Sequence, residues 1–292
     1  MIYSILIRRI YLKPDVFIKC NDRQLAKFIT GIYSPYATFS FIDIYLPVDK
    51  KYLKITVKKI ENDIYIITYT GKQIESHKDN AAQILENIIY DTTYPIESVL
   101  PLHGAAVMKS GYIFMLLGFT SSGKSTLCSY LLTQEFEYIT EDLIFISRDS
   151  SNVLPYRKCI SLRPGGYNIL NSIHGIEIND IQHLKWGDIE RYVFTPTYNN
   201  CLVQATEITG SIINIFIERT ESENSIVRQM MPNSFIELTK SRYTGSKATV
   251  EDTRLLCDFL KKSTCYKIKY SNMEYVKDRL LDICTGRDFP AI

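Results

Sequence analysis

The chain has 292 residues, of which 46% are hydrophobic and 23% charged, with a formal net charge of +2. That length supports one large or two modest domains with a real core, and the composition is ordinary for a globular protein. The near-neutral balance, without any Lys/Arg-rich run, argues against a nucleic-acid surface, and no apolar run approaches the length of a membrane span. The seven cysteines are scattered, with no C-x-x-C pair and no histidine at zinc spacing. Such a set points to reduced thiols and a cytoplasmic protein. No positive segment precedes an apolar one at the start of the chain, so no signal peptide is expected.

In chain order, residues 1–96 read as a strand-rich α+β domain. Strands are predicted over 2–11 and Asp15–Cys20, followed by a helix over 22–32 capped by Asn21 or Asp22. Extended segments follow at 36–46, 52–60 and 63–70. Residues 52–60 alternate apolar and polar side chains, as in a sheet with one wet face, and Asn62-Asp63 is a plausible hairpin turn. Lys78–Asp91 places Ala82, Ile84, Leu85, Ile88 and Ile89 at helical spacing, and Tyr94-Pro95 ends that helix. This half contains no catalytic constellation, so its expected role is to hold a substrate.

A second domain is expected over 97–292. A strand over 102–108 and a turn at Lys109–Gly111 lead into the apolar strand Tyr112–Leu117. Gly118-Phe-Thr-Ser-Ser-Gly-Lys-Ser125 comes next and fits G-x-x-x-x-G-K-[ST], the phosphate-binding loop, with a helix continuing through Leu132. The glycines let backbone amides wrap an anion at the helix start. Lys124 reaches β/γ-phosphates, and the Ser125 hydroxyl is suited to Mg²⁺. Residues 137–147 form an apolar β run that carries Glu141 and Asp142, two carboxylates that are costly there unless they face a cation.

Further on, residues 153–163 are extended and Pro164-Gly165-Gly166 reads as a turn. Residues 167–189 read as an irregular connection of the kind used for lids or substrate loops. Strands are predicted over 191–196, Ser211–Arg219 and 265–270, and helices over 231–243, 251–262 and Met273–Cys284, the last ending at Gly286. Arg163, Arg191 and Arg219 sit near strand ends, where each is suited to a phosphate or to an ordinary surface ion pair. His77, His174 and His183 have no partner pattern.

His103-Gly104 in a strand before the loop, the loop itself, and the Glu141-Asp142 pair 16 residues after Ser125 together resemble the HPr kinase/phosphorylase family. The fold of that family is shared with ATP-dependent phosphoenolpyruvate carboxykinase. The usable motifs cover residues 100–149. The chain also looks like short HPr-kinase-like proteins of peptide-modification systems, including lasso-peptide precursor kinases. The resemblance implies an α/β P-loop kinase domain with a smaller strand-rich N-terminal α+β domain, using ATP and Mg. It places Gly118, Ser121, Ser122, Gly123, Lys124, Ser125 and Thr126 on the nucleotide, and Ser125 and Asp142 on the metal. Glu141 becomes the base, with His103 near the γ-phosphate and Lys124 completing the catalytic set.

The chain departs from the family at Ser121, where a further glycine is usual, at Thr126, where an acid is usual, and at Glu141, where the usual pair is Asp-Asp. No C-terminal element for gripping HPr is found, which puts HPr and phosphorolysis in doubt. The expected reaction is therefore transfer of the γ-phosphate to a hydroxyl, a serine of a precursor peptide or small protein, with no nucleic-acid or membrane partner. Homo-oligomerisation stays open. The alternatives are a kinase of free serine or another small metabolite, a nucleotide-gated module or slow NTPase without an acceptor, and an inert scaffold.

Overall fold

The computed structural model describes residues 2–7, 15–34, 37–40, 51–92, 98–156, 158–173, 181–195, 208–242 and 249–291. Along the chain these form β1 (Tyr3–Ile7), β2 (Asp15–Cys20), α1 (Arg23–Tyr33), β3 (Ala37–Ser40), β4 (Tyr52–Lys59), β5 (Ile64–Tyr69), β6 (Lys72–His77) and α2 (Lys78–Asp91). Next come β7 (Val99–Lys109), β8 (Tyr112–Leu117), α3 (Lys124–Leu132), β9 (Glu137–Thr140), β10 (Leu143–Ser147) and β11 (Val153–Leu154). Then follow β12 (Ile160–Leu162), α4 (Pro164–Ser172), β13 (Gln182–Trp186) and β14 (Ile189–Phe194). The remainder is β15 (Ser211–Arg219), β16 (Ser225–Arg228), α5 (Met231–Lys240), α6 (Val250–Lys261), β17 (Thr264–Tyr270) and α7 (Met273–Cys284). The result is a mixed α/β protein.

Two compact units emerge. The first comprises Met1–Pro95 together with Lys158–Gly165 and Ile178–Thr195, and the second holds the rest. The chain therefore leaves the first unit after Pro95 and returns to it twice, which a single cut between residues 96 and 97 does not capture. In the first unit, six strands run in the order β3-β1-β2-β4-β5-β6, and β12-β14-β13 form a second, small sheet. The returning hairpin is tied in by packing. A side chain at Gly31 of α1 would come within 2.6 Å of Leu184 in β13. Trp186 is fully buried, donates from Nε1 to the Lys78 carbonyl at 2.9 Å, and meets Tyr65 edge to face. Asp22 caps α1 through the amides of Gln24 and Leu25, and also accepts from the Tyr65 hydroxyl at 2.8 Å.

The second unit is built on a sheet in the order β11-β10-β7-β8-β15-β17-β16, with β9 also on β7. β8, β15 and β17 are parallel neighbours, so Leu117, Arg219 and Tyr270 end at one edge. β8 from Ile113 onward and the middle of β15 are buried and read as near-continuous apolar runs, whereas β17 alternates, with Lys267 and Lys269 on its partly exposed face. Leu102, Ala106, Met115, Leu117, Ile144 and Phe259 are among the side chains of the core.

Several sequence expectations are corrected. Residues 137–147 are two strands, because Asp142 adopts φ 72° and interrupts the ladder. Pro164-Gly165-Gly166 opens a helix instead of a turn, with Pro at the first helical position, where its missing N–H is no loss. Within 167–189, expected to be irregular, the described residues are regular: α4 runs to Ser172 and β13 pairs with β14, while 174–180 lie outside the described residues. The Asn62-Asp63 hairpin turn is present as expected: a 3-10 turn, Glu61–Asp63, joins β4 to β5, which pair antiparallel. β6 and β16 were not anticipated. The expected continuation of strands through residues 8–11 and 41–46, the stop at Tyr94-Pro95, and His174 lie outside the described residues.

Asp252 illustrates how the second unit is tied together. It completes a capping box with Thr249 at the start of α6 and accepts from Arg148 Nη2 and, at 2.9 Å, from Arg242 Nη2. Burial works to raise its pKa, but the Thr249 amide and Arg148 outweigh it and hold the carboxyl below its ordinary value of 3.8. A depressed carboxylate contributes stability above the unfolded-state pKa and loses it as pH falls through the folded value. Asp252→Ala should therefore cost about 3 kcal/mol in urea unfolding at neutral pH. The difference from wild type should shrink as the pH is taken below about 4.

Candidate active site

β8 ends at Leu117, and the chain turns through Gly118 (φ 156°), Ser121 (φ 67°) and Gly123 (φ 89°) before α3 begins at Lys124. The turn must be glycine-bearing for two separate reasons. A Cβ on Gly118 would stand 2.8 Å from the Ile217 carbonyl, and one on Gly123 would stand 2.5 Å from the Tyr270 hydroxyl oxygen. Inside the turn the Ser122 amide donates to the Phe119 carbonyl at 3.1 Å, and the Leu127 amide donates to the Gly123 carbonyl at 2.8 Å. The first amides of the helix therefore face the concave side of the loop, the arrangement that binds anions.

Lys124 is only 7% exposed. Its Nζ donates to the carbonyls of Gly118 at 2.9 Å and Phe119 at 2.8 Å, which holds the ammonium over the loop. Burial lowers its pKa, and Glu141 and Asp142 oppose that shift. The buried cation helps to make a buried acid tolerable at the next strand break. The Ser125 hydroxyl donates to Glu141 Oε1, and Glu141 is 4% exposed. Asp142 is partly exposed and stands 3.5 Å from His103 Nδ1.

The backbone explains why the two acids meet His103 and the loop. A bulge between Ala106 and Val107 shifts the start of β9, but Thr140 opposite Ala106 and Leu143 opposite His103 share one register, so Glu141 and Asp142 fall across from Ala105 and Gly104. The Gly104 amide donates to the Asp142 carbonyl at 3.2 Å. A Cβ at Gly104 would come within 2.8 Å of both Ile144 and the Leu116 carbonyl, so the residue after His103 has to be glycine for β8 and β10 to flank β7 this closely. The structure brings Gly118, Ser121, Ser122, Gly123, Lys124, Ser125, Thr126, His103, Glu141 and Asp142 together at the carboxyl edge of β8. Of the three arginines considered, Arg219 lies in this unit, at the end of β15, whereas Arg163 and Arg191 belong to the other.

The oxygen donors suit a hard divalent cation. Among the described residues no cluster of three or more His, Cys, Asp and Glu can hold a metal alone. One hydroxyl and one or two carboxylates completed by phosphate oxygens is, however, how Mg²⁺ is ordinarily held. The buried Ser122 Oγ has no hydrogen-bond partner among the described residues and fits an anionic ligand in the loop. Two residues escaped the sequence reading. Tyr270, which touches the loop, lies in an unremarkable strand. Phe119 is 68% exposed at the loop tip, with Lys240 Nζ 5.8 Å above its ring, and sits at a variable motif position. Their signal was only their residue type.

Ser121 is a non-glycine residue in the left-handed region, which supplies a physical reason for glycine at that position in related loops. Ser121→Gly should relieve about 1 kcal/mol of backbone strain, read as a raised denaturation midpoint. Gly123→Ala should do the opposite and lower it, through both its φ and the clash with Tyr270.

No family model matches the chain, and no curated protein matches it. Among solved structures, the Hpr(Ser) kinase/phosphatase from Coxiella burnetii is similar at 9% identity, with a TM-score of 0.32, over 64% of this chain and 93% of that chain. So distant a likeness assigns no activity, and the chemistry of the site stands on its own geometry. Among the described residues no helix is long and apolar enough to cross a membrane.

Proposed function

We propose that the protein is an ATP- and Mg²⁺-dependent kinase that transfers the γ-phosphate to a hydroxyl, a serine of a peptide or small protein. The observation that carries this reading is the buried Lys124 ammonium over a glycine loop whose Ser125 hydroxyl is bonded to Glu141. An ammonium and helix-start amides facing two acids from the next strand break suit a metal-bridged triphosphate better than a single phosphate or a carboxylate ligand.

In the reaction, the acceptor oxygen forms a bond to the γ-phosphorus while the bond to the β-bridging oxygen breaks and ADP leaves. The acceptor's proton passes to a carboxylate. Lys124 and the amides of the loop bind and orient the phosphates, and Ser125 with Asp142 would hold the cation. Bound there, Mg²⁺ neutralises phosphate charge. Glu141 takes the proton, and His103, 3.5 Å from Asp142, is assigned to the transferred group. The protein would act on a peptide carried by its strand-rich N-terminal unit. Transfer to free serine or another small metabolite, or hydrolysis with no acceptor, is distinguished by which acceptor gains phosphate.

A second assignment of the acids is favoured by one contact. Because the Ser125 hydroxyl already bonds Glu141, the latter belongs with the metal side, leaving the more exposed Asp142–His103 pair to face the acceptor. Glu141→Gln and Asp142→Asn separate the two assignments. The variant whose loss of transfer is recovered by raising Mg²⁺ marks the metal-side acid, and the variant that binds ATP normally and stays inactive at any Mg²⁺ marks the base. Lys124→Ala should weaken ATP binding by about tenfold to a hundredfold, the range for charge-assisted hydrogen bonds, as read by calorimetry. ATP turnover in the wild type with no phosphate appearing on any peptide, protein or amino-acid acceptor would remove the kinase and leave an NTPase.

A further inference from the structure

We propose that Tyr270 is a positioning residue for the nucleotide, one that sets which way the Ser122–Gly123 peptide faces. This rests on the loop binding phosphates as proposed above. Tyr270 closes β17, is 3% exposed, and donates from its hydroxyl to the Ser122 carbonyl at 3.0 Å. A peptide unit is planar and trans, so its carbonyl and its following N–H point in opposite directions. Drawing the Ser122 carbonyl toward Tyr270 turns the Gly123 N–H away from it, to the face where the anion sits. If the same peptide flipped, a carbonyl oxygen would meet the phosphates and repel them.

Glycine at this position makes such a flip easy, because residue 123 has no side chain to resist it and φ of 89° is already in the region only glycine enters freely. Something outside the loop must therefore choose the orientation. The Tyr270 hydroxyl also stands 2.5 Å from where a Cβ on Gly123 would be, so it fills the space that the missing side chain leaves. One oxygen thus both holds the carbonyl and walls the back of the turn. Burial pushes the Tyr270 phenol up to about 12, with Arg219 opposing, so it remains a donor through the working pH range. The β17 strand has no freedom to move the phenol away, since it is hydrogen-bonded to β15 on one side and β16 on the other.

The test compares wild type and Tyr270→Phe, which keeps the ring and removes the oxygen. Calorimetry with ATP, pyrophosphate and adenosine should show ATP and pyrophosphate weakened about tenfold and adenosine unchanged, because one hydrogen bond orienting a phosphate donor is lost. In steady state the KM for ATP should rise more than kcat falls. Equal ATP affinity in the two proteins overturns the proposal and leaves Tyr270 a packing residue, whatever its melting temperature. A wild type that binds neither ATP nor pyrophosphate overturns the nucleotide reading itself, and the proposal with it. Should Tyr270→Phe not fold, the wild type still decides the matter. With ¹⁵N-glycine labelling, the Gly123 amide resonance should shift on adding pyrophosphate, and a resonance that stays in place rejects the proposal.

Discussion

The burial of one ammonium group organises the second unit. A lysine that is almost wholly out of water needs its charge answered, and Lys124 has it answered by two loop carbonyls at hydrogen-bonding distance and by the field of Glu141 and Asp142. Glu141, itself almost wholly buried, is in turn made tolerable within an apolar sheet by the nearby cation. The arrangement lies where β8 stops, α3 starts and the β9–β10 line breaks.

That break is also the clearest case of a feature the residues do not announce. Glu141 and Asp142 stand out in the sequence as charges in an apolar run, and their facing the loop follows from charge alone. That the strand is interrupted there depends on Asp142 taking a left-handed φ while Gly104, some forty positions earlier, offers its amide to the Asp142 carbonyl. Local propensity does not contain that information, because it is a property of two strands already paired. The phosphate loop is the opposite case. Its glycines, lysine and serine recur at fixed spacing because each does a fixed job in binding an anion, so the motif announces the loop even though Gly118, Gly123 and Ser125 meet distant partners, Ile217, Tyr270 and Glu141.

The same distinction runs through the fold. Asp15–Cys20, Tyr112–Leu117, Ser211–Arg219 and the helices Lys78–Asp91 and Met273–Cys284 are legible because their periodicity or continuous apolar character reflects a single burial environment. β6, with Lys72, Gln73 and Glu75 exposed, lies at the margin of its sheet and lacks the apolar alternation that would announce it. Pro164-Gly165-Gly166 looks like a turn from its residue types, yet proline is welcome where a helix begins. The return of residues 158–165 and 178–195 to the first unit was invisible for a different reason. It is carried by Trp186 and Leu184 finding α1, α2 and β5, contacts between distant parts of the chain.

The order in which strands enter the second sheet bears on how this chain is made. β17, late in the sequence, lies between β15 and β16 and forms the parallel neighbour of β15. During synthesis β15 therefore emerges with one backbone edge open, and an apolar strand with an open edge is a template for pairing with another chain. Parallel pairing also closes a long loop before it yields any contact, which makes it slow. The nascent polypeptide thus carries an open apolar edge first at β8, until residue 219 emerges, and then at β15, until residue 270 does, and a chaperone would matter to its yield over both intervals.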